Sequence, residues 1–232
     1  VPRSARSTII FMAPRLSSAA SRGARRAPLV LPDVVAAPII KWVGGKSRLM
    51  PELQSRMPEQ YGRYYEPFAG GAALFFRTGP RRAVLSDSNS DLITLYTAVQ
   101  KDVASVIKRL QHHREEHDEK HYYAMRAAWN EDHHTWNRAD RAAAFIYLNK
   151  TCFNGLWRVN RSGDFNVPIG RYTDPPICVP EALRAAHELR EFSVIECKIP
   201  PDDLSPISRK YIRESARKGT ESRSAQRGAA ER

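Results

Sequence analysis

A glycine-rich stretch with an acidic residue further along the chain is the first sign of ligand chemistry in this sequence. The residues EPFAGGA, 66–72, lie where a predicted strand passes into a predicted helix. Glycines there let a ligand approach the backbone and expose the N–H groups of the helix start. Asp87 follows Gly70 by 17 residues, near the spacing of about 20 at which an acidic side chain meets ribose hydroxyls. Simple turns and helix caps use the same residues, so a nucleotide-like site and these structural roles both stay open.

A second motif, KWVGGKS at 41–47, resembles a phosphate-binding loop only in its last three residues. The nucleotide triphosphatase pattern requires a glycine five residues before Gly45, and position 40 is isoleucine. That function is therefore excluded for this motif. Trp42 and Lys46 remain, a ring that can stack on an aromatic ligand and an ammonium group that can pair with a carboxylate.

The segment 149–172 concentrates fork-shaped donors beside aromatic rings. Arginine and asparagine make paired hydrogen bonds to guanine and adenine edges, and an aromatic side chain at a loop tip can enter a base stack. The residues are Lys150, Arg158, Arg161, Arg171, Phe153, Trp157 and four asparagines. A solvated polar loop is the alternative, but the composition favours contact with nucleic acid.

Hydrophobic periodicity places these motifs on an α/β framework. A strand end is predicted at 64–68 and strands at 82–87 and 192–198, with helices at 46–57, 71–78, 89–100 and 180–191. Leu92, Leu95, Tyr96 and Val99 share one helical face, and Asn89 or Ser90 is the expected cap. Strand, glycine loop, helix and a strand ending in Asp87 are typical of the start of a doubly wound domain.

Residues 102–149 have helical patterns throughout, and the long polar loop 150–177 that follows is typical of a functional loop. The chain has 232 residues, enough for one domain with a core and a small subdomain. Cys152, Cys178 and Cys197 are far apart, which argues against disulfides and a zinc site. No apolar run reaches the roughly 20 residues of a membrane span, so a soluble, cytoplasmic protein is expected.

The net charge of +12 lies mainly in the two ends of the chain. Residues 1–38 carry +5 and residues 208–232 carry +5, which leaves +2 for residues 39–207. Both ends are rich in Arg, Ser and Ala and are predicted to be unstructured, although the first also has the composition of a transit peptide. The overall basicity therefore says little about partners of the folded part.

Four motifs, in content and order, closely resemble the Dam-type DNA adenine N6-methyltransferases of the D12 class. They are KWVGGK, YYEPFAGGAALFF, LSDSNSDLI and YLNKTCFNGLWRVNRSGDFNVPIGRY, and the resemblance covers about residues 39–198. It implies S-adenosylmethionine as methyl donor, no metal, double-stranded DNA as partner, and association with the nucleoid. It also implies a Rossmann-like methyltransferase domain with an inserted helical target-recognition domain.

The resemblance divides the chain and assigns its site residues. The methyltransferase domain is expected at 39–95 and 178–198, the recognition domain with its DNA-contacting hairpin at 96–177, and basic tails at 1–38 and 199–232. Donor-binding positions match Trp42, Lys46, Glu66, Pro67, Phe68, Gly70 and Asp87. DNA-facing positions match Lys41, Phe153 (the intercalating aromatic), Asn154, Leu156, Arg158, Asn160, Asn166, Pro168 and Arg171.

The sequence Asp174-Pro175-Pro176 imitates the family's catalytic motif without matching its place. Family members carry Asp-Pro-Pro-Tyr after the strand that follows FSVIECK, whereas this copy directly follows the hairpin and ends in Ile177 instead of an aromatic residue. We interpret it as a decoy, and no catalytic residue is assigned.

Beyond Lys198 the resemblance stops, and a truncation or reading-frame change before the catalytic motif is expected, with an incomplete sheet. The principal hypothesis is a site-specific adenine-N6 methyltransferase. The alternatives are a DNA- and cofactor-binding remnant without catalysis and, third, an RNA methyltransferase of similar layout. The recognition sequence, the oligomeric state and the housekeeping, phage or restriction-modification context stay open.

Overall fold

The computed structural model describes residues 36–189 and 191–197. Three parallel strands form one sheet in the order β1-β2-β3, and six α-helices connect or flank them within this part of the chain. The elements are α1 Met50–Ser55, β1 Tyr64–Pro67, α2 Ala73–Thr78, β2 Ala83–Asp87, α3 Ser90–Glu115, α4 Glu119–Asp132, α5 Arg138–Thr151, α6 Pro180–Glu188 and β3 Phe192–Glu196. The predicted tails at 1–38 and 199–232 lie outside the described residues except for 36–38.

The sheet explains where the glycine loop and the acidic residue lie. Tyr64 pairs with Ala83 and Pro67 with Ser86, while Asp87 pairs with Glu196 at the end of β3. Parallel strands end at the same edge, so the loop after β1 and the residue that ends β2 are neighbours. This edge therefore collects the residues that the sequence singled out.

One face of the sheet is buried by the helices that cross between its strands. Tyr64, Leu85 and Phe192 point into the core, and the ring of Phe192 lies 5.0 Å from that of Phe75 on α2. Alternation along β1 leaves Tyr65 exposed on the opposite face. Within the described residues, β1 pairs with β2 alone.

The long helix α3 begins where the sequence predicts and is broken once. The side chain of Asn89 accepts hydrogen bonds from the N–H groups of Asp91 and Leu92, which confirms it as the cap. Asp102 has non-helical dihedral angles (φ −152°, ψ 62°), so the two predicted helical stretches meet at this break. The predicted domain boundary between residues 95 and 96 falls inside α3 and stays a prediction.

The helix α5 is the centre of the helical layer. Every residue from Ala142 to Asn149 is almost fully buried, and the helix packs along α3. A helix that is apolar on all sides requires neighbours on all sides, so α5 is enclosed by α3, α4 and the segment after it. Arg141 joins its first turn to the start of α3, because its Nε donates to Asp91 and its terminal nitrogen to Ser90 Oγ.

Helices on a parallel sheet make the protein α/β, as predicted. The Rossmann-like sheet order and the inserted domain stay predictions, since three strands are common to several α/β arrangements. Among the described helices, none combines the length and the apolar character that a bilayer crossing requires.

Candidate functional site

The glycine loop after β1 is held by hydrogen bonds to both main-chain polar groups of Gly70. Gly70 donates its N–H to Asp87 Oδ2 at 2.9 Å, and its carbonyl accepts a hydrogen bond from the hydroxyl of Tyr96 on α3. Burial raises the pKa of Tyr96 well above its usual value, so the hydroxyl keeps its proton and remains a donor. The loop is therefore fixed by β2 on one side and by α3 on the other.

Trp42 covers this loop closely enough to require glycine there. Gly70 has a φ of +52°, and a Cβ at this position would lie 2.7 Å from Trp42 Cδ1. A Cβ on Gly71 would lie 3.2 Å from Trp42 Cβ. On its other side the indole is 6.1 Å from the ring of Phe145 on α5. Trp42 thus lies between the glycine loop and the helical layer.

The side chain of Glu66 is almost fully buried next to the loop and accepts hydrogen bonds from three donors. Its Oε1 accepts from Lys46 Nζ at 2.8 Å, and its Oε2 accepts from the Tyr64 hydroxyl at 2.8 Å and from the Phe75 N–H at 3.2 Å. Burial, then the adjacent carboxylate, raises the pKa of Tyr64, which keeps its hydroxyl a donor. Three donors satisfy the buried charge, as such a group requires.

Lys46 joins the KWVGGKS motif to the same loop. Its Nζ donates to the Phe68 carbonyl at 3.2 Å in addition to Glu66. The pairing with a carboxylate that the sequence suggested is therefore found, but its partner is Glu66 of this chain. Whether Lys46 and Glu66 also contact a donor molecule stays a prediction.

The open side of the loop presents Phe68 and Asp87. Phe68 has a φ of +57° and a side chain that is 68% exposed, at the carboxyl end of β1 beside Pro67. A non-glycine residue in this region costs about 1–3 kcal/mol and is typical of functional loops. The Asp87 carboxylate accepts from the Asn89 N–H at 3.0 Å in addition to Gly70. Contacts and chain order thus bring all seven predicted donor-binding residues into one patch.

A cavity of about 590 Å³ lies next to this patch, a size typical of small-molecule sites. Trp42, Gly71 and Ala73 line it from the loop side, while Lys41, Arg48 and Lys150 bring positive charge. Burial, and then the nearby Lys41, lowers the pKa of Lys150. Of the predicted donor-binding residues, Trp42 alone is among those lining the cavity. Arg48 and Ala73 were missed because neither belongs to a motif with a recognisable spacing.

Residues 151–170 form a hairpin after α5. Bridges join Cys152 to Ile169 and Val159 to Phe165 in antiparallel pairs. At its tip, the Asn160 side chain accepts from the N–H groups of Ser162 and Asp164 and donates to the Asp164 carboxylate. Asn160, predicted to face DNA, therefore also builds the turn.

The hairpin exposes the predicted DNA-facing residues along its outer surface. Phe153 is 49% exposed, next to Asn154, which has a φ of +56°. Arg158 donates from Nε to Asn166 Oδ1 across the hairpin at 3.0 Å. Leu156 is partly buried. The other residues predicted to face DNA are exposed: Lys41, Phe153, Asn154, Arg158, Asn160, Asn166, Pro168 and Arg171.

Aromatic rings and backbone hydrogen bonds dock the inner side of the hairpin on α4 and α5. Trp157 stacks on Phe165 at 4.4 Å and lies 4.1 Å from Phe145. Tyr122 donates its hydroxyl to the Val167 carbonyl at 2.8 Å. The outer surface can therefore be polar while the hairpin stays attached through its apolar side.

Two other polar residues that hold the site were not singled out from the sequence. Tyr96 was expected only as a core residue, and Asn149 only as one of several loop asparagines, yet they hold Gly70 and Lys41. Sequence signals for both existed. A buried tyrosine hydroxyl needs a hydrogen-bond partner, and so does an asparagine that ends the apolar run AAAFIYL.

Asp174 follows the hairpin in the chain. It is exposed in the bend between the hairpin and α6, whereas Ile177 is buried in the core. Asp174 is not among the residues that line the cavity. Its interpretation as a decoy stays a prediction. Within the part of the chain that the structure describes, no three His, Cys, Asp or Glu side chains are grouped to hold a metal ion.

The comparisons with known proteins indicate the same family. The sequence model of the family described as D12 class N6 adenine-specific DNA methyltransferase matches residues 42–197. The chain is 39% identical over 152 residues to the type II methyltransferase M1.LlaDCHI of Lactococcus lactis subsp. cremoris, covering 65% of this chain and 54% of that protein.

Similar proteins occur in other organisms as well. The type II methyltransferase M.MjaIII of Methanocaldococcus jannaschii is 35% identical over 176 residues, covering 69% of this chain and 61% of the relative. The DNA adenine methylase of Escherichia coli K12 is 36% identical over 138 residues, covering 59% and 48%. This chain thus spans about half the length of these relatives.

Replacing Gly70 with alanine should destabilise the protein more than the same change at Gly163. Both positions have positive φ, but a Cβ at Gly163 meets nothing within 4 Å, whereas at Gly70 it meets Trp42. We expect a loss of about 1–2 kcal/mol from the backbone at each site and about 1–3 kcal/mol more from overpacking at Gly70. Urea unfolding of both variants measures the difference; equal losses would show that Trp42 moves aside freely.

Proposed function

The chain belongs to the D12 class N6 adenine-specific DNA methyltransferases, and from this membership we propose that it binds S-adenosylmethionine and duplex DNA for methyl transfer to adenine N6. The donor would lie at the carboxyl ends of β1 and β2, and the DNA along the exposed surface of the hairpin. The observation that carries the proposal is the connected patch in which Trp42, Gly70 and Asp87 meet, one residue from DNA-facing Lys41.

The donor-side residues suit the parts of S-adenosylmethionine. The Asp87 carboxylate has two oxygens, each with a second lone pair free for ribose hydroxyls after binding Gly70 and Asn89. The exposed ring of Phe68 offers an apolar surface beside it. Asp87, Tyr96 and Trp42 hold the loop in place, so a ligand meets a backbone that is already ordered.

The hairpin residues suit a DNA duplex. Arg158 is fixed by Asn166 through Nε, which leaves its terminal nitrogens directed at a partner such as the O6 and N7 atoms of guanine. Phe153, exposed at the first turn of the hairpin, can enter a base stack. Lys41 and Lys150 add charge for phosphates.

The cavity between these two regions is the place for an extruded adenine. An enzyme that acts on a base takes it out of the helix into a pocket, and this cavity has Trp42 of the donor side and Lys41 of the DNA side among its lining. Such a substrate would place the protein in the cytoplasm at the nucleoid.

Binding without catalysis is the second candidate function. In the family, the Asp side chain and the first Pro carbonyl of Asp-Pro-Pro-Tyr accept hydrogen bonds from the adenine amino group, and the aromatic ring holds the base. Within residues 1–232, Asp-Pro-Pro occurs only at 174–176, before Ile177, and Asp174 is exposed and is not among the residues that line the cavity. This placement favours a binding role for the described residues.

Asp87→Ala should weaken the binding of S-adenosylhomocysteine, the demethylated donor, by about 10- to 100-fold, since hydrogen bonds to a charged group contribute about 1.5–3 kcal/mol. Tyr96→Phe is the matched control, because it removes the hydrogen bond to the Gly70 carbonyl. Residue 96 is fully buried, so this change does not touch a ligand. Titration calorimetry compares the two. Equal losses would mean that Asp87 acts only by shaping the loop.

Arg158→Ala should weaken binding to a duplex selected by this protein from a randomised library by about 1–3 kcal/mol, and should relax the preference at one base pair. Arg161, exposed at the hairpin tip, serves as the control. Its replacement by alanine should reduce affinity for all sequences alike and lower the salt dependence by about one charge. Uniform loss in Arg158→Ala would make it a phosphate contact instead.

The polypeptide of the printed sequence should bind both ligands but transfer no methyl group to duplex DNA above background. Without acceptors for the amino hydrogens, adenine N6 is neither oriented nor activated, and orientation alone contributes several kcal/mol, roughly 7–11 at best. Incubation with methyl-labelled donor measures this. Transfer that persists in Asp174→Ala would locate the catalytic group elsewhere, and transfer lost in that variant would overturn the decoy interpretation.

A further inference from the structure

Asn149 makes a paired hydrogen bond to the backbone of a residue 108 positions away. Its side-chain Oδ1 accepts from the Lys41 N–H at 2.9 Å, and its Nδ2 donates to the Lys41 carbonyl at 2.9 Å. The side chain is fully buried in the last turn of α5, at the end of an apolar run. The amide therefore gives the backbone of Lys41 the two hydrogen bonds that a neighbouring strand would otherwise provide.

The same amide reaches the base of the hairpin. Nδ2 also donates to the Gly155 carbonyl at 3.3 Å. The Lys41 side chain crosses Gly155 so closely that a Cβ there would lie 2.5 Å from Lys41 Cδ, and its Nζ lies 5.1 Å from the centre of the Tyr172 ring. The backbone of Lys41 is thus held by the amide that also binds Gly155, and its side chain lies against the hairpin.

The next residue, Trp42, is fixed against the glycine loop on the opposite side. Two consecutive residues therefore join the donor patch to the hairpin, and Asn149 holds the first of them. A displacement of the base of the hairpin at Gly155 would therefore move Lys41, and through it Trp42. We propose that Asn149 is a positioning residue that couples donor binding to DNA binding. The proposal rests on the proposed function, because it presumes both ligands.

The coupling depends on the hydrogen-bonding pattern of the Asn149 side chain more than on its size. An ionised aspartate at 149 would accept from the Lys41 N–H but would place a negative oxygen against the Lys41 carbonyl. A protonated aspartic acid has one donor and one acceptor, so it restores both hydrogen bonds to Lys41, although not the one to the Gly155 carbonyl. Because burial raises the pKa of a carboxyl group, Asn149→Asp should regain the pairing as the pH falls.

Asn130 provides a matched control with the same chemistry at another contact. On α4, its Oδ1 accepts from the Phe165 N–H at 2.8 Å and its Nδ2 donates to the Phe165 carbonyl at 3.0 Å. It thus holds the hairpin without touching Lys41. Asn130→Asp should loosen the hairpin but leave the connection between Lys41 and Trp42 intact.

The test is titration calorimetry of S-adenosylhomocysteine with and without a saturating duplex, selected by this protein from a randomised library. In the unaltered protein the duplex should change the donor Kd by about fivefold or more, a typical coupling between sites. At about pH 7.5, Asn149→Asp should reduce that factor to below about twofold, and at about pH 5.5 it should recover. Asn130→Asp should weaken duplex binding while keeping the factor at both pH values.

Controls separate this proposal from loss of folding and from the proposed function. The titratable groups nearest position 149 are Lys41, Lys150 and Cys152, and the unaltered protein at both pH values corrects for them. Hydrogen exchange of the unaltered protein needs no variant: S-adenosylhomocysteine alone should slow exchange in residues 150–172. Protection confined to the donor patch, or an unchanged factor in Asn149→Asp, overturns the coupling. Failure of the unaltered protein to bind either ligand contradicts the proposed function instead.

Discussion

The backbone of Gly70, fixed through both its N–H and its carbonyl, is the point on which the rest of the site depends. Asp87 at the end of β2 binds its N–H, Tyr96 on α3 binds its carbonyl, and Trp42 leaves no space for a side chain. The parallel strand pairing places Asp87 there, and the apolar face of α3 buries Tyr96. The register of the sheet and the packing of α3 therefore fix the loop in one conformation. A ligand can bind to it without rearranging the loop.

The same fixation extends to the hairpin through pairs of hydrogen bonds made by single side chains. Asn149 and Asn130 each hold one backbone residue by its N–H and its carbonyl, and Tyr122 holds a third position. A hairpin with few regular bridges would otherwise leave buried backbone groups without partners. Side chains from the helices supply those partners, so the outer surface stays available to a ligand.

Strain occurs at both ends of this arrangement. Phe68 (φ +57°) and Asn154 (φ +56°) occupy the left-handed region without being glycine, and exposed aromatic rings lie at Phe68 and at Phe153 beside Asn154. The cost, about 1–3 kcal/mol each, has to be offset by the surrounding contacts. Such strained positions are typical of sites where a backbone directs side chains towards a ligand rather than into the core.

Local rules determined much of this protein from sequence alone. Periodicity located the helices and strands, Asn89 was one of the two expected caps of α3, and the order of four motifs indicated the family that the comparisons support. Those features depend on neighbouring residues or on short motifs. Tertiary structure alone decided that Glu66 lies buried against Lys46, that Tyr96 holds Gly70, and that Asn149 binds Lys41. Partners such as these are 20 to 108 residues apart, and a buried polar group finds its partner only when packing brings the two together.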